Sequence, residues 1–271
     1  MQYEQIKAER RGDVLLIVLD RPEKMNAWTP RMAEEQAHAI ERANADPGIG
    51  AIVMTGSGRG FCAGADTQAV FQARIDGADP GNNTAGGTGG MPAGLDWVDL
   101  VRRSKPLVAA VNGPSIGVGL TMILPFDQII ASDAARFGTG FIRMGLVPEL
   151  ASSRWIVQRI GFGRASDLIL SGRLIPASEA AQIGLADRLV PAASLVDEAV
   201  ATARTYAANP DTQLRMAKSL LTMNSVETDL KLVQRREMQM LEECWKSPEH
   251  AEAVAAFREK RPPVFRPATA D

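Results

Sequence analysis

Two glycine-rich turns carry the backbone groups in this chain best suited to chemistry. Phe61-Cys-Ala-Gly-Ala-Asp66 and Ile116-Gly-Val-Gly-Leu120 both sit where a strand-like run gives way to a helix-like one. Small residues at such a turn leave N–H groups unpaired and pointing outward at a helix N-terminus. When the α-carbon of a thioester loses a proton, negative charge builds on the carbonyl oxygen. Two N–H groups facing that oxygen stabilise it, and losing one such donor costs on the order of a hundredfold in rate. Each turn could supply one donor. Taken locally, each segment reads equally well as a plain tight turn.

Two other chemistries use glycine turns. For nucleotide binding, Gly56-x-Gly58-x-Gly60 lacks the spacing of the dinucleotide fingerprint, and no Gly-Lys-Ser/Thr follows it. For acyl transfer through serine, Gly113-Pro-Ser-Ile-Gly117 satisfies G-x-S-x-G and makes Ser115 a candidate nucleophile. Such a hydrolase needs an acid and then a histidine further along, and only His250 is available. The two histidines, His38 and His250, lie far apart without Cys or His at ligand spacing, so no metal site is expected. Cys62 and Cys244 form no disulfide framework, which suits a reduced cytoplasm.

The elements that must position these turns follow from apolar patterning. Val14–Leu19, Ala51–Met54, Pro106–Val111 and Gln128–Ala131 are apolar runs rich in branched residues, as buried strands are. Thr29-Pro30 caps a helix running to about Ala45, and Asp46-Pro-Gly48 stops it. The recurring strand, glycine turn and helix argue for an α/β fold. Residues 76–94, rich in glycine and proline, predict a mobile loop that could act as a lid. Beyond Leu195 the strands stop, and 195–208, 211–223, 226–246 and 248–260 read as helices. The expected division is an α/β body over 1–195 and a helical region over 196–271.

Bulk properties exclude several partners. The 271 residues are 45% hydrophobic and 23% charged, enough for one full core plus an appendage. A formal net charge of -2 offers no basic surplus for nucleic acid. Met1–Arg10 has no apolar signal-peptide core. The apolar region Ile116–Ile130 is broken by Gly119, Pro125 and Asp127 and is too short to span a bilayer, so no membrane partner is expected.

Taken in order, the motifs resemble the crotonase superfamily, the enoyl-CoA hydratase/isomerase family, over most of the chain. Lys24-Met-Asn-Ala27 is similar to its K-x-N-A loop, Phe61–Asp66 to its F-x-A-G-A-D segment, and Lys105–Gly113 to its K-P-v-i-A-a-v-n-G strand. Phe126-Asp127, Phe137-Gly138, Gly145–Pro148, Leu170–Arg173, Ala180–Leu185 and Ala256–Phe265 continue the family order. The resemblance implies a spiral of ββα units with a C-terminal helical trimerisation region, assembled as a homo-trimer or a homo-hexamer. It implies an acyl-coenzyme A substrate and no permanently bound cofactor. The implied oxyanion donors are the N–H groups of Ala63 and Val118, the latter at a position where the family often has glycine. Coenzyme A is implied to lie against Met25, Ala27 and the segment Ala63, Ala65 and Asp66, with Phe257 and Lys260 reaching it from a neighbouring subunit.

The hydratases of the family use two glutamates, and the matching positions here are Thr121 and Phe141, neither an acid–base group. Glu149, in Gly145-Leu-Val-Pro-Glu-Leu150, is the carboxylate that stands out, in a Glu-x-x-Ser setting similar to that of some isomerase members. One such base can take a proton from C2 of a 3-enoyl thioester and return it at C4, and apolar neighbours would raise its pKa toward that work. A first-turn glutamate facing the dipole of the following helix is the structural alternative. Asp66, Asp127 and Asp133 read as structural positions. Met144, Trp97 and the 76–94 loop are candidates to shape the acyl pocket. Δ3-to-Δ2 enoyl-CoA isomerisation is therefore the expected reaction; ordinary hydration and a non-catalytic acyl-CoA-binding scaffold are the alternatives.

Overall fold

A computed structural model describes residues 1–77 and 94–266. Most of the expected mobile loop at 76–94, residues 78–93, lies outside the described residues.

Nine strands are present among the described residues: β1 (Ile6–Arg11), β2 (Val14–Leu19), β3 (Ala51–Gly56), β4 (Leu107–Val111), β5 (Pro114–Ile116), β6 (Gln128–Ser132), β7 (Arg136–Gly138), β8 (Ile175–Pro176) and β9 (Arg188–Val190). The main sheet runs β1-β2-β3-β4-β6-β9, and β5-β7-β8 form a smaller one. From β2 to β9 the main sheet is parallel, with β1 antiparallel at its edge. The unbroken apolar runs of β2, β3, β4 and β6 are explained by burial on both faces. Leu16, Val53, Val108 and Ile130 pack with Leu195, Ala199 and Ala203 of the helix Leu195–Ala207. Their neighbours Ile17, Ile52, Ala109 and Ile129 belong to the larger core on the opposite face, with Met32, Ala33 and Ile40 of the helix Pro30–Ala45. The two sets alternate with the period of two that a strand imposes.

The strands that local sequence does not announce are β1, β5, β7, β8 and β9. In β1 only Ile6 is buried. Its place is set by pairing with β2 and by Glu35, a buried carboxylate that accepts the N–H groups of Glu4, Gln5 and Ile6 at 3.0, 2.8 and 3.2 Å. The start of the helix Pro30–Ala45 is as expected, with Thr29 Oγ1 accepting the Met32 N–H at 3.1 Å and proline in its first turn.

Four α-helices follow the last strand among the described residues: Leu195–Ala207, Asp211–Asn224, Leu230–Trp245 and Pro248–Glu259. The expected boundary at 195/196 falls at the start of the helix that covers one face of the sheet. Among the described residues no helix is long and apolar enough to cross a membrane. The second helix is tied down by buried Lys218, whose Nζ reaches Val101 O, Lys105 O and the Asp127 carboxylate at 3.1, 3.2 and 2.8 Å. Asp127 also takes Arg102 at 2.9 Å and the Leu107 N–H at 2.8 Å, a structural position as its sequence context suggested.

Lys105 is the most enclosed cation of this frame. Its Nζ donates to the carbonyls of Ala43, Asp46 and Ile49 at 2.9, 2.6 and 2.5 Å and pairs with Asp211 at 3.1 Å. Burial pulls its pKa down and the Asp211 carboxylate works against that shift. One side chain thus joins the end of the first helix, the start of β4 and the C-terminal helices. Lys105→Ala would take the ammonium away from three buried carbonyls and leave Asp211 with Arg266 alone. The expected loss is about 3 kcal/mol of unfolding free energy, read from the urea midpoint at an unchanged m-value.

Candidate active site

The loop after β2 is shaped by consecutive left-handed residues, Met25 (φ 52°) and Asn26 (φ 54°). Asn26 is fully buried and has an Oδ1 that accepts the Arg21 N–H at 2.8 Å. Its Nδ2 donates to Ser57 O at 2.9 Å and Gly60 O at 2.8 Å, so one amide side chain locks this loop to the first glycine turn. Arg21 adds a bond to Ala27 O at 2.6 Å and an ion pair to Asp66 at 3.0 Å. Asp66 also caps the following π-helical turn, accepting the N–H groups of Gln68 and Ala69 at 3.1 Å each. Burial would raise the Asp66 pKa, but these donors and Arg21 outweigh it and hold the carboxyl below its usual range.

The second glycine turn is zipped onto the first. Cys62 N–H donates to Pro114 O and Ile116 N–H to Cys62 O, both at 3.0 Å. Gly119 lies so close to Cys62 that a Cβ there would collide with the Cys62 carbonyl oxygen. Gly117 has φ 55° and ψ -124°, a conformation open to glycine, and starts the short helical turn Val118–Thr121.

These contacts decide which N–H groups are free, and they correct one expectation. The Ala63 N–H donates to Met25 O at 3.1 Å, so it is not an open donor. Ala65 is instead the centre of a parallel bridge: Trp28 N–H donates to Gly64 O, and Asp66 N–H to Trp28 O, both at 2.8 Å. In such a bridge the central residue keeps its own N–H on the opposite side. The two turns lie close together here, since a Cβ on Gly117 would be 3.9 Å from Gly64 Cα. Among the described residues neither the Ala65 nor the Val118 N–H has an internal acceptor. Val118 is the first residue of its helical turn, where an N–H has no intrahelical partner.

Ala65 and Val118 both line a cavity of about 530 Å³ whose walls are mainly apolar, among them Trp28, Phe71, Phe141 and Leu146. Glu149 lies in the same wall and is its only carboxylate among the described residues. Oε1 of Glu149 accepts the Thr121 hydroxyl at 2.5 Å, while Oε2 is shut off from solvent and has no partner among the described residues. Burial drives the Glu149 pKa up to about 7, against the opposing hydrogen bond from Thr121. The next two residues, Leu150 (φ 53°) and Ala151 (φ 54°), are both left-handed. The helix Ser152–Ile160 starts after them with no acidic residue in its first turn, so Glu149 does not act as a first-turn partner of that helix. Sequence reading identified Glu149 but missed Thr121 as its partner.

The remaining candidates separate clearly. Ser115 is fully buried and donates to Gly119 O at 2.9 Å, which leaves the elbow reading without a nucleophile. Burial pushes the neighbouring Cys62 thiol up to about 12. His38 shares a 2.9 Å hydrogen bond with the Tyr3 hydroxyl, and His250 sits in the first turn of the helix Pro248–Glu259. Phe141 and Met144 line the cavity, whereas Trp97 is a core residue with Nε1 donating to Met122 O at 2.8 Å. Met25, Ala27 and Asp66 build the backbone frame beside Ala63 and Ala65. Phe257, 85% exposed, and Lys260 lie at the end of the last helix and do not line the cavity within one chain.

Comparison with known proteins agrees along the whole chain. The family described as enoyl-CoA hydratase/isomerase matches residues 9–268. A probable enoyl-CoA hydratase of Mycobacterium bovis is 36% identical over 265 residues, covering 98% of this chain and 99% of that protein. The 1,2-epoxyphenylacetyl-CoA isomerase of Escherichia coli is 33% identical over 260 residues, covering 93% and 94%. The crystal structure of an enoyl-CoA hydratase from Polaromonas superposes with a TM-score of 0.86 at 28% identity, covering 96% of this chain and 99% of that one. This chain therefore belongs to the enoyl-CoA hydratase/isomerase (crotonase) family of enzymes, which act on coenzyme A thioesters.

Proposed function

We propose that the enzyme moves the double bond of a 3-enoyl-CoA to the 2-position, using Glu149 as its one acid–base group. The observation that carries this reading is the Glu149 carboxyl itself: buried, with one oxygen unpartnered and a pKa near 7, in a cavity that also holds two open backbone donors. The thioester oxygen rests between the N–H groups of Ala65 and Val118. Glu149 takes a proton from C2, the C–H electron pair passes into the C1–C2 bond, and negative charge settles on the oxygen. Return of the same proton to C4 draws the electrons back, leaves C2=C3 and regenerates the carboxylate. Hydration would need one group to deprotonate water and another to protonate carbon. The hydratase names among the relatives keep that activity as the comparison to run.

Coenzyme A in this reading lies along Met25, Ala27 and Asp66 and meets the cavity that takes the acyl chain at Ala63 and Ala65. Phe257 and Lys260 reach it from another copy of the chain, with the ammonium of Lys260 facing a phosphate group. The assembly is a homo-trimer or homo-hexamer built on residues 196–271. Support comes from Leu221, Leu230, Trp245 and Phe257, which are 69%, 72%, 54% and 85% exposed in the single chain, too much apolar surface for isolated helices.

Glu149→Gln is expected to lower 3-enoyl-CoA isomerisation by about 10²- to 10⁴-fold and to abolish exchange of the C2 proton of a saturated acyl-CoA in deuterated water. Because the base acts as carboxylate, wild-type kcat should fall as pH drops below about 7. Full turnover by Glu149→Gln, or faster hydration of 2-enoyl-CoA than isomerisation, would remove this reading. Val118→Pro deletes one oxyanion donor at a first-turn position that accepts proline, and should slow C2 exchange about a hundredfold in a folded protein. Light scattering should give three or six chains per particle; a monomer at micromolar concentration would contradict the assembly.

A further inference from the structure

The two oxygens of Glu149 are not equivalent. Oε1 is held by the Thr121 hydroxyl at 2.5 Å, and Oε2 has no partner among the described residues. Thr121 is fully buried and its own N–H is taken by Gly117 O at 2.9 Å, so the hydroxyl is its one free donor. It ends the four-residue turn whose first residue is Val118. One rigid turn thus carries the open Val118 N–H at its start and the anchor for the carboxylate at its end. By contrast Glu149 sits in a loop followed by two left-handed residues, where the backbone alone fixes a side chain poorly.

Resting on the reading of Glu149 as base, we infer that Thr121 is a positioning residue: its hydroxyl fixes Oε1 and so holds the carboxylate in place as it carries the proton between C2 and C4. A hydroxyl cannot itself exchange a proton with carbon near neutral pH, but a directed donor holds the carboxylate at a set place on the turn that starts with Val118. Among the described residues the surroundings offer no rival for this task. The turn Val118–Thr121 has no charged residue, and the cavity wall adds only Arg143, whose Nε points to Ser171 O at 3.4 Å. On the helix Ser152–Ile160, Arg154 bonds to Ser225 and Arg159 to Leu124 O, Phe126 O and Asp187. The pull that the Thr121 hydrogen bond exerts on the Glu149 pKa is downward, so removing it leaves burial unopposed and shifts the titration to higher pH.

The test compares wild type, Thr121→Val, Thr121→Ser and Glu149→Gln on 3-enoyl-CoA across pH. Thr121→Val keeps the shape without the hydroxyl. It should move the acidic limb of the kcat profile up by about one pH unit and lower the plateau kcat by about tenfold, with KM within about twofold. Thr121→Ser, which restores a donor, should bring back both the limb and the plateau. An unmoved limb and plateau in Thr121→Val, with Glu149→Gln inactive, would overturn the positioning role and leave the base assignment standing. A fully active Glu149→Gln would instead overturn the base assignment. A measurement on unaltered Thr121 guards against a variant that fails to fold: its hydroxyl proton should appear downfield in the wild-type NMR spectrum above pH 7 and move upfield in Glu149→Gln, where a neutral amide oxygen replaces the carboxylate. No difference between those two spectra would also overturn the proposal.

Discussion

Backbone meets backbone where Cys62 passes Gly119, with no room for a side chain between them. That contact, with the hydrogen bonds of Cys62 to Pro114 and of Ile116 to Cys62, fixes two turns from distant parts of the chain as one unit. Everything at the site hangs from it. The first turn is pinned from the other side by Asn26 and by the bridge between Trp28 and Ala65, so it cannot rotate. The N–H groups left over after these pairings, at Ala65 and Val118, are preorganised donors, and preorganisation of this kind is what makes an oxyanion site effective.

The carboxylate is held by a different principle. Glu149 arrives on a loop rather than on a strand or helix, and two consecutive left-handed residues turn the chain behind it. Non-glycine residues in that region cost about 1–3 kcal/mol each, and burial of the acid adds to the load. The surrounding frame offsets these costs. Lys105 and the Lys218–Asp127–Arg102 cluster bind the sheet, the first long helix and the C-terminal helices into one body. A strained site resting on an over-determined frame allows a carboxyl group with a pKa near 7 to exist inside a mostly apolar wall.

Much of the frame was legible in the sequence because its signals are local. The four central strands announced themselves as apolar runs, since burial on both faces removes the usual alternation. Thr29-Pro30 marked a helix start through a cap and a proline. The short strands β5, β7, β8 and β9 were not legible, since two or three residues carry no period and depend on partners far along the chain. Glu149 could be singled out because it was the one acid in an apolar stretch. Its hydrogen bond to Thr121 could not, as 28 residues separate the two and the contact exists only when the second turn and the loop fold together.

The choice between Ala63 and Ala65 shows where the boundary runs. Residue order alone determined the family, the α/β layering, the two glycine turns and the lone carboxylate, because each depends on residue type and near spacing. Which alanine presents an open N–H depends on where Met25 O and Trp28 lie, and those come from a loop some forty residues earlier in the chain. The direction of a backbone N–H is decided by what pairs with its neighbours. Only the tertiary structure supplies those partners.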